Sequence, residues 1–198
     1  PIASMWLRIQ NEDSLLNRKL ASDLLRIEQY VEMVLMFLRL DSDSTDYVIR
    51  EYDLDGIVRQ AVKKFADDFI SRKLKLEYEP LNTSVVTDEK WLLFVIEQVI
   101  SNALKYTQQG CVSIYLESPK ILCIRDTGMG IAAEDLPRIF EKGYTGYNGR
   151  NDKKASGIGL YLCKRICANL SHKIKLESVL GKGTVVYIDL NRTEREYE

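Results

Sequence analysis

Residues Ile121 to Ile131 read "ILCIRDTGMGI", an apolar strand-like run that closes on an Asp and two glycines one residue apart. Asp bonds readily to the backbone that follows it and Gly accepts positive φ, so Asp-x-Gly is ordinary turn chemistry. The same spacing also leaves open backbone beside a carboxylate, which is what a ligand would use. The stretch alone leaves both readings standing, with the turn the commoner.

Periodicity on either side sets the fold class. Upstream, Asp88 to Tyr106 reads as a helix and Cys111 to Glu117 as a strand paired in sequence with Ile121 to Asp126. Downstream, a long polar loop leads to a helix from about Ile158 to Leu170, then strands near Lys173 to Ser178 and Thr184 to Leu190. Further upstream, Tyr47 to Tyr52 reads as a strand, Asp53 to Arg72 as one amphipathic helix and Lys73 to Glu79 as an alternating strand. Mixed helices and adjacent strands predict an α+β fold, a two-layer α/β sandwich.

The N-terminal residues follow a different period. Leu20, Leu24, Ile27, Val31, Val34 and Leu38 recur at alternating spacings of four and three, the seam of a helix that packs on other helices. Val34 to Leu38 widen that face beyond one contact, which favours intermolecular packing over a surface helix on a globular core. Before it, Ile2, Met5, Trp6 and Ile9 share one helical face, and the polar "NEDS" at Asn11 to Ser14 turns the chain back. A helical hairpin with a short first arm is expected, with a boundary near Asp41 to Asp46 dividing residues 1–43 from residues 44–198.

With 45% hydrophobic and 29% charged residues, the composition is that of a globular chain able to bury a core. A formal net charge of -1 offers no basic excess for nucleic acid. Cys111, Cys123, Cys163 and Cys167 show no CxxC spacing and no clustered histidines, so buried reduced thiols of a cytosolic protein are expected. Apolar runs such as "MVLMFL" and "WLLFVI" are too short to span a bilayer, so any membrane attachment would lie outside this sequence.

Several polar groups stand out against this background. On the otherwise apolar helix "WLLFVIEQVISNALKYT", Gln98, Asn102 and Lys105 form one stripe. It is either a solvated face or a place where an Asn oxygen ligates Mg²⁺ and a Lys meets a phosphate. The loop from Ile131 to Ser156 carries Gly143, Gly146 and Gly149 with Lys142, Arg150, Lys153 and Lys154, suited equally to a phosphate-covering lid or to a solvated loop. Gly157 and Gly159 open the next helix, either for close packing or for an anion at its N-terminus. "GKGT" at Gly181 to Thr184 lacks the earlier Gly of a P-loop, and Gly128-Met129-Gly130 is not completed as a dinucleotide fingerprint.

Taken in order, "SNALKYT", "DTGMGI", "RIFEKGYTG", "SGIGLYL" and "GKGT" resemble the N, G1, F, G2 and G3 boxes of the sensor histidine kinases, within the ATPase superfamily shared with DNA gyrase and MutL. The resemblance implies a Bergerat-type ATP-binding domain. It implies that Asp126 accepts from the adenine amino group, that Thr184 supports the same edge partly through water, and that Gly128 and Gly130 give backbone clearance. It places Gly157, Gly159 and Leu160 at the phosphates, Asn102 on Mg²⁺, Lys105 on a phosphate, Tyr106 in the pocket wall and Phe140 as lid anchor. The hairpin resembles the family's dimerisation and phosphotransfer hairpin, and "PIASMW" resembles the residues just after a His-x-x-x-Thr-Pro type acceptor motif. An acceptor His upstream of Pro1 is therefore expected, with transfer onward to the Asp of a response regulator, and this chain alone should not phosphorylate itself.

The short hairpin and "RIFEKGYTG" resemble most the intramembrane-sensing kinases that respond to peptide antibiotics, which implies the cytoplasmic part of a bacterial inner-membrane homodimer. Three positions depart from the family pattern. Gln98 stands where Asn or an acid is common, leaving metal contact there open, and Glu97 is one position off that face. Thr145 replaces a lid Arg, so phosphate contact would pass to Lys142, Arg138 or the later cations. His172, the only His, reads as a turn residue between helix and strand. The rival readings are an ATP-driven dimerisation clamp, as in gyrase and MutL, and a degenerate kinase that only scaffolds a regulator.

Overall fold

The computed structural model describes residues 15–40, 47–146 and 156–191. The chain divides into two compact units, Pro1–Thr45 and Asp46–Glu198. In the first, α1 spans Leu15–Leu40 and exposes Ile27, Val31, Val34, Leu35 and Leu38. The expected first arm of the hairpin lies outside the described residues.

The second unit begins with β1 (Arg50–Asp53), α2 (Leu54–Lys64), α3 (Ala66–Arg72), β2 (Lys75–Tyr78), β3 (Ser84–Thr87) and α4 (Glu89–Tyr106). It continues with β4 (Cys111–Ser118), β5 (Ile121–Asp126), α5 (Gly159–Asn169), β6 (Lys173–Val179) and β7 (Gly183–Asp189). Five strands form one mixed sheet in the order β2-β4-β5-β7-β6, and β1 pairs antiparallel with β3 in a separate ribbon. Only β2 and β4 run parallel, joined through the β3 and α4 crossover. The fold is the α+β sandwich that the periodicities predict.

Strand alternation decides which side chains meet the helices. Val112, Ile114, Leu122, Ile124, Val186 and Ile188 point to the inner face and are buried there with Leu92, Ile96 and Ile100 of α4 and Leu162 and Ile166 of α5. Asp126 shares the parity of Leu122 and Ile124, so the sheet directs its carboxylate toward the helices.

Caps fix the helix starts. Asp88 takes the N–H groups of Lys90 and Trp91 on Oδ1 (3.0 and 3.2 Å) and that of Val48 on Oδ2 (2.7 Å), tying the start of α4 to the segment before β1. Asp53 is the cap of α2 and lies outside the helix, because its Oδ2 accepts the Gly56 N–H at 3.0 Å. The single helix expected over Asp53 to Arg72 is two helices. Phe65 breaks it with φ -103 and ψ 10 while its ring is buried, and Asp67 and Asp68 begin α3 where acids suit a helix N-terminus. The strand expected over Tyr47 to Tyr52 occupies Arg50–Asp53, and β3, four residues long, has too little alternation to stand out in the sequence.

One carboxylate latches this half together. Asp55 Oδ1 accepts the Leu81 N–H (3.0 Å) and the Tyr78 hydroxyl (2.5 Å), and Oδ2 pairs with Arg59. Burial pushes the Asp55 carboxyl up, but Leu81, Tyr78 and Arg59 together outweigh it and hold it at about 2.

Candidate functional site

At the end of β5 the chain makes a tight, crowded corner. Gly128 donates its N–H to Asp126 Oδ1 at 2.8 Å, so the Asp-x-Gly stretch does form the turn that its composition predicts. The turn also clears space: a Cβ on Gly128 would lie 2.5 Å from the Tyr106 carbonyl oxygen and 2.9 Å from both Asp126 Oδ1 and Thr107 Oγ1. Met129 donates to the Tyr106 carbonyl (3.1 Å) and accepts from the Gly181 N–H (2.7 Å), which fastens the loop to the end of α4 and to the β6–β7 turn. Gly130 packs on the Val179 carbonyl, where a Cβ would stand 2.1 Å away.

Gly183 is the tightest member of this corner. Its φ of +104 is open to glycine, and a Cβ there would fall 2.0 Å from the Asp126 carbonyl oxygen. The next residue, Thr184, stands opposite Asp126 in the β5–β7 register. Its hydroxyl lies 2.9 Å from Ser178 Oγ, which also accepts from the Ile131 N–H and donates to the Gly183 carbonyl, both at 2.8 Å. Asp126, Gly128, Gly130 and Thr184 thus converge as one constellation.

Asp126 as a residue is 8% exposed, and desolvation pushes its carboxyl pKa up against the lowering effect of the Gly128 and Thr184 N–H groups. Two amides do not replace the water that burial removes. Thr107 Oγ1 is likewise buried beside Gly128 with no hydrogen-bond partner. A buried carboxylate and an unpartnered hydroxyl around glycine backbone suit a polar ligand edge.

The polar stripe of α4 is half-buried at Gln98, Asn102 and Lys105. Gly159 brings the start of α5 against it, since a Cβ there would sit 2.9 Å from Gln98 Oε1. Lys105 Nζ stands 5.1 Å from the centre of the Tyr106 ring. Glu97 is turned into an ion pair with Lys64 at 2.6 Å and is not part of the stripe. Among the described residues no group of three or more His, Cys, Asp or Glu could form a cage for a metal. The donors present, amide oxygens at Gln98 and Asn102, fit a Mg²⁺ that takes few protein ligands and completes its shell with phosphates and water.

The loop after Ile131 is clipped at both ends. Gly143 donates to the Gly157 carbonyl at 3.0 Å, and a Cβ on Gly157 would stand 2.5 Å from the Gly143 carbonyl carbon. Tyr144 donates its hydroxyl to Asp135, and its ring carries the Arg138 guanidinium at 4.3 Å. Arg138 also pairs with Glu141 at 3.0 Å. Phe140 is half-buried with Lys164 Nζ 5.6 Å from its ring centre, Lys142 is exposed, and Thr145 and Leu160 are half-buried. Gly149, Arg150, Lys153 and Lys154 lie outside the described residues.

Ser178, Thr107 and Gly183 also belong to this corner without being expected there from the sequence. Thr107 and Gly183 lie inside "SNALKYT" and "GKGT", while Ser178 carries no local signal beyond a hydroxyl at the base of a hairpin. His172 sits between α5 and β6 as its reading suggests, but its ring is buried, with Nε2 3.0 Å from Thr87 Oγ1. The cysteines are free thiols, and Cys123, Cys163 and Cys167 are buried.

Residues 87–194 match the family model described as histidine kinase-, DNA gyrase B-, and HSP90-like ATPase. The chain belongs to this ATPase family. It is 32% identical over 195 residues to the sensor histidine kinase YxdK of Bacillus subtilis, a match covering 94% of this chain and 59% of that protein. It is 35% identical over 191 residues to the sensor histidine kinase GraS of Staphylococcus haemolyticus, covering 93% and 55%. The chain thus spans somewhat over half the length of these relatives. Its fold is that of the Acinetobacter baumannii histidine kinase AdeS, with a TM-score of 0.65 at 22% identity, covering 96% of this chain and 93% of that one. Family membership makes the corner at Asp126 part of an ATP-binding domain. No helix among the described residues is long and apolar enough to cross a membrane.

Proposed function

We propose that this chain is the catalytic portion of a sensor histidine kinase, which binds Mg-ATP and passes the γ-phosphoryl group to a histidine on a helical bundle, for relay to the Asp of a cognate response regulator. The observation that carries the reading is the buried Asp126 carboxylate, pushed up in pKa by desolvation and set among Gly128, Gly183 and Thr184. Such a carboxylate accepts the adenine amino group, while Thr184 supports the same edge, Gly128 and Gly130 keep the backbone clear and Tyr106 lines the pocket. Gly157, Gly159, Leu160 and Lys105 approach the phosphates, with Lys142 and Thr145 in the lid that Phe140 anchors.

Asn102, with Gln98 beside it, would hold Mg²⁺, whose charge neutralises the phosphates during transfer. The residues of this chain then bind, orient and exclude water, which is most of what phosphoryl transfer asks of a protein. His172 is not the acceptor in this reading, since it is buried in the ATPase unit against Thr87. The acceptor belongs to the bundle of which α1 is part. The exposed apolar stripe on α1 supports a homodimer through that helix. The relatives' names support a sensor role; response to peptide antibiotics and attachment to a bacterial inner membrane, with this portion in the cytoplasm, complete the proposal. The division into a phosphotransfer unit before residue 44 and an ATP unit after it belongs to the same reading.

Calorimetric titration with ATP, with and without Mg²⁺, tests the site: binding is expected, strengthened by Mg²⁺ and weakened by Asn102→Ala. Absence of ATP binding by the wild type would overturn the reading. Incubation with γ-labelled ATP should leave His172 unlabelled, whereas acid-labile label on this chain that vanishes in His172→Ala would move the acceptor into the ATPase unit.

A further inference from the structure

The hydrogen bonds around Ser178 fix the direction of a proton that the candidate site depends on. Ser178 Oγ lies 2.8 Å from the Gly183 carbonyl oxygen, which can only accept, so the single serine proton is committed there. Its oxygen receives the Ile131 N–H, also at 2.8 Å. The remaining contact is Thr184 Oγ1 at 2.9 Å. With the serine proton already placed, Thr184 is the donor in that pair, and the Thr184 oxygen has only lone pairs left for any other partner.

We propose that Ser178 is a positioning residue which locks the Thr184 hydroxyl as an acceptor and thereby sets how the ring nitrogen of a bound adenine is read. This rests on the adenine-nucleotide reading of the site. The Asp126 carboxylate oxygen that takes the Gly128 N–H is an acceptor as well, so the corner meets the base with two acceptors side by side. The exocyclic amino group satisfies Asp126, but the neighbouring ring nitrogen of adenine is itself an acceptor and cannot face Thr184 directly. A water that donates one proton to each reconciles them. A purine carrying a carbonyl in place of the amino group would set that oxygen against the Asp126 carboxylate and is disfavoured at once. Without the Ser178 hydroxyl, the Thr184 proton is released, the hydroxyl can rotate, and the water loses a fixed acceptor.

Titrations of ATP against the wild type, Ser178→Ala, Thr184→Val and the double variant decide the matter, with melting curves to show that each is folded. Ser178→Ala should weaken ATP binding about three- to tenfold, the span of one neutral hydrogen bond. In the Thr184→Val background the same change should have no further effect, because Ser178 acts through that hydroxyl. The ATP analogue in which C–H replaces the ring nitrogen beside the amino-bearing carbon should be nearly indifferent to Ser178→Ala, and Ser178→Thr, which keeps the hydroxyl, should restore ATP affinity. An effect that persists in Thr184→Val, or that is undiminished with the analogue, would show that Ser178 only braces Ile131 and Gly183 and would overturn the proposal. So would ATP binding unchanged by Ser178→Ala. Failure of the wild type to bind ATP would instead bring down the nucleotide reading, and this inference with it.

Discussion

Two aspartates in this molecule are held in opposite ways. Asp55 at the start of α2 receives the Leu81 N–H, the Tyr78 hydroxyl and the Arg59 guanidinium, and its carboxyl is held at about 2. Asp126 at the end of β5 is buried with only backbone amides from Gly128 and Thr184 lowering its pKa, and desolvation wins. The first carboxylate is already satisfied and has nothing left to offer a ligand. The second lacks solvation that a ligand's N–H can supply. The two carboxylates thus differ in what surrounds them and in the sign of their pKa displacement, and only Asp126 has the surroundings that the proposed ligand role requires.

The largest expected effect concerns the frame that keeps Asp126 in place. Gly183→Ala puts a Cβ 2.0 Å from the Asp126 carbonyl at a φ of +104, which combines left-handed strain with overpacking against backbone. A loss of about 3 kcal/mol or more is expected in chemical denaturation, together with loss of ATP binding. Wild-type stability in Gly183→Ala would mean that the corner is softer than its contacts indicate.

Asp126→Asn comes next and acts in two directions. Its folded pKa is raised, so the folded state binds more protons than the unfolded state between the ordinary value of 3.8 and the raised one, and stability falls as pH rises through that window. At neutral pH the buried charge is thus a cost to the free protein. Removing it should leave the melting temperature unchanged or higher. ATP binding should weaken by roughly 1.5–3 kcal/mol, the range for a charged hydrogen bond. A variant that is both less stable and equally tight would reverse the contrast drawn with Asp55.

What the sequence reveals of this arrangement divides along the same line. Asp126, Gly128, Gly130 and Thr184 are legible because the short stretches that hold them, each ordinary by itself, follow one another in the order of one family's boxes. Ser178 is not legible, since its three partners, Ile131, Gly183 and Thr184, are gathered by the β6–β7 hairpin and by a loop 47 residues earlier in the chain. The break at Phe65 is hidden for a related reason: helical periodicity continues across it, through buried Leu54, Ile57, Val58, Ala61, Phe65 and Phe69. The Asp55 latch likewise depends on Tyr78 and Leu81 arriving from more than 20 residues away.

Asp55→Asn tests the satisfied member of the pair. A folded pKa held below 3.8 means stability fully present above that value and lost as pH falls through about 2, the opposite sign to Asp126. The variant should lose on the order of 1 kcal/mol at neutral pH, allowing for partial exposure, with ATP affinity unchanged. The difference from wild type should shrink in acid. A penalty that stays constant down to pH 2 would assign the latch to shape and not to charge.

The smallest effect belongs to Gly143, where the backbone has room for a side chain. A Cβ on Gly143 meets nothing within 4 Å, so Gly143→Ala carries only the cost of its φ of +77, about 1 kcal/mol, while the N–H to the Gly157 carbonyl survives. Gly157→Ala is the matched control, because its Cβ would strike the Gly143 backbone at 2.5 Å and open the clip. The pair separates strain from closure. If the clip holds the lid over the phosphates, ATP affinity should fall further in Gly157→Ala than in Gly143→Ala, while adenosine, which lacks phosphates, should bind both alike. Equal losses with ATP and adenosine would show that the clip serves the stability of the domain and not the hold on the phosphates.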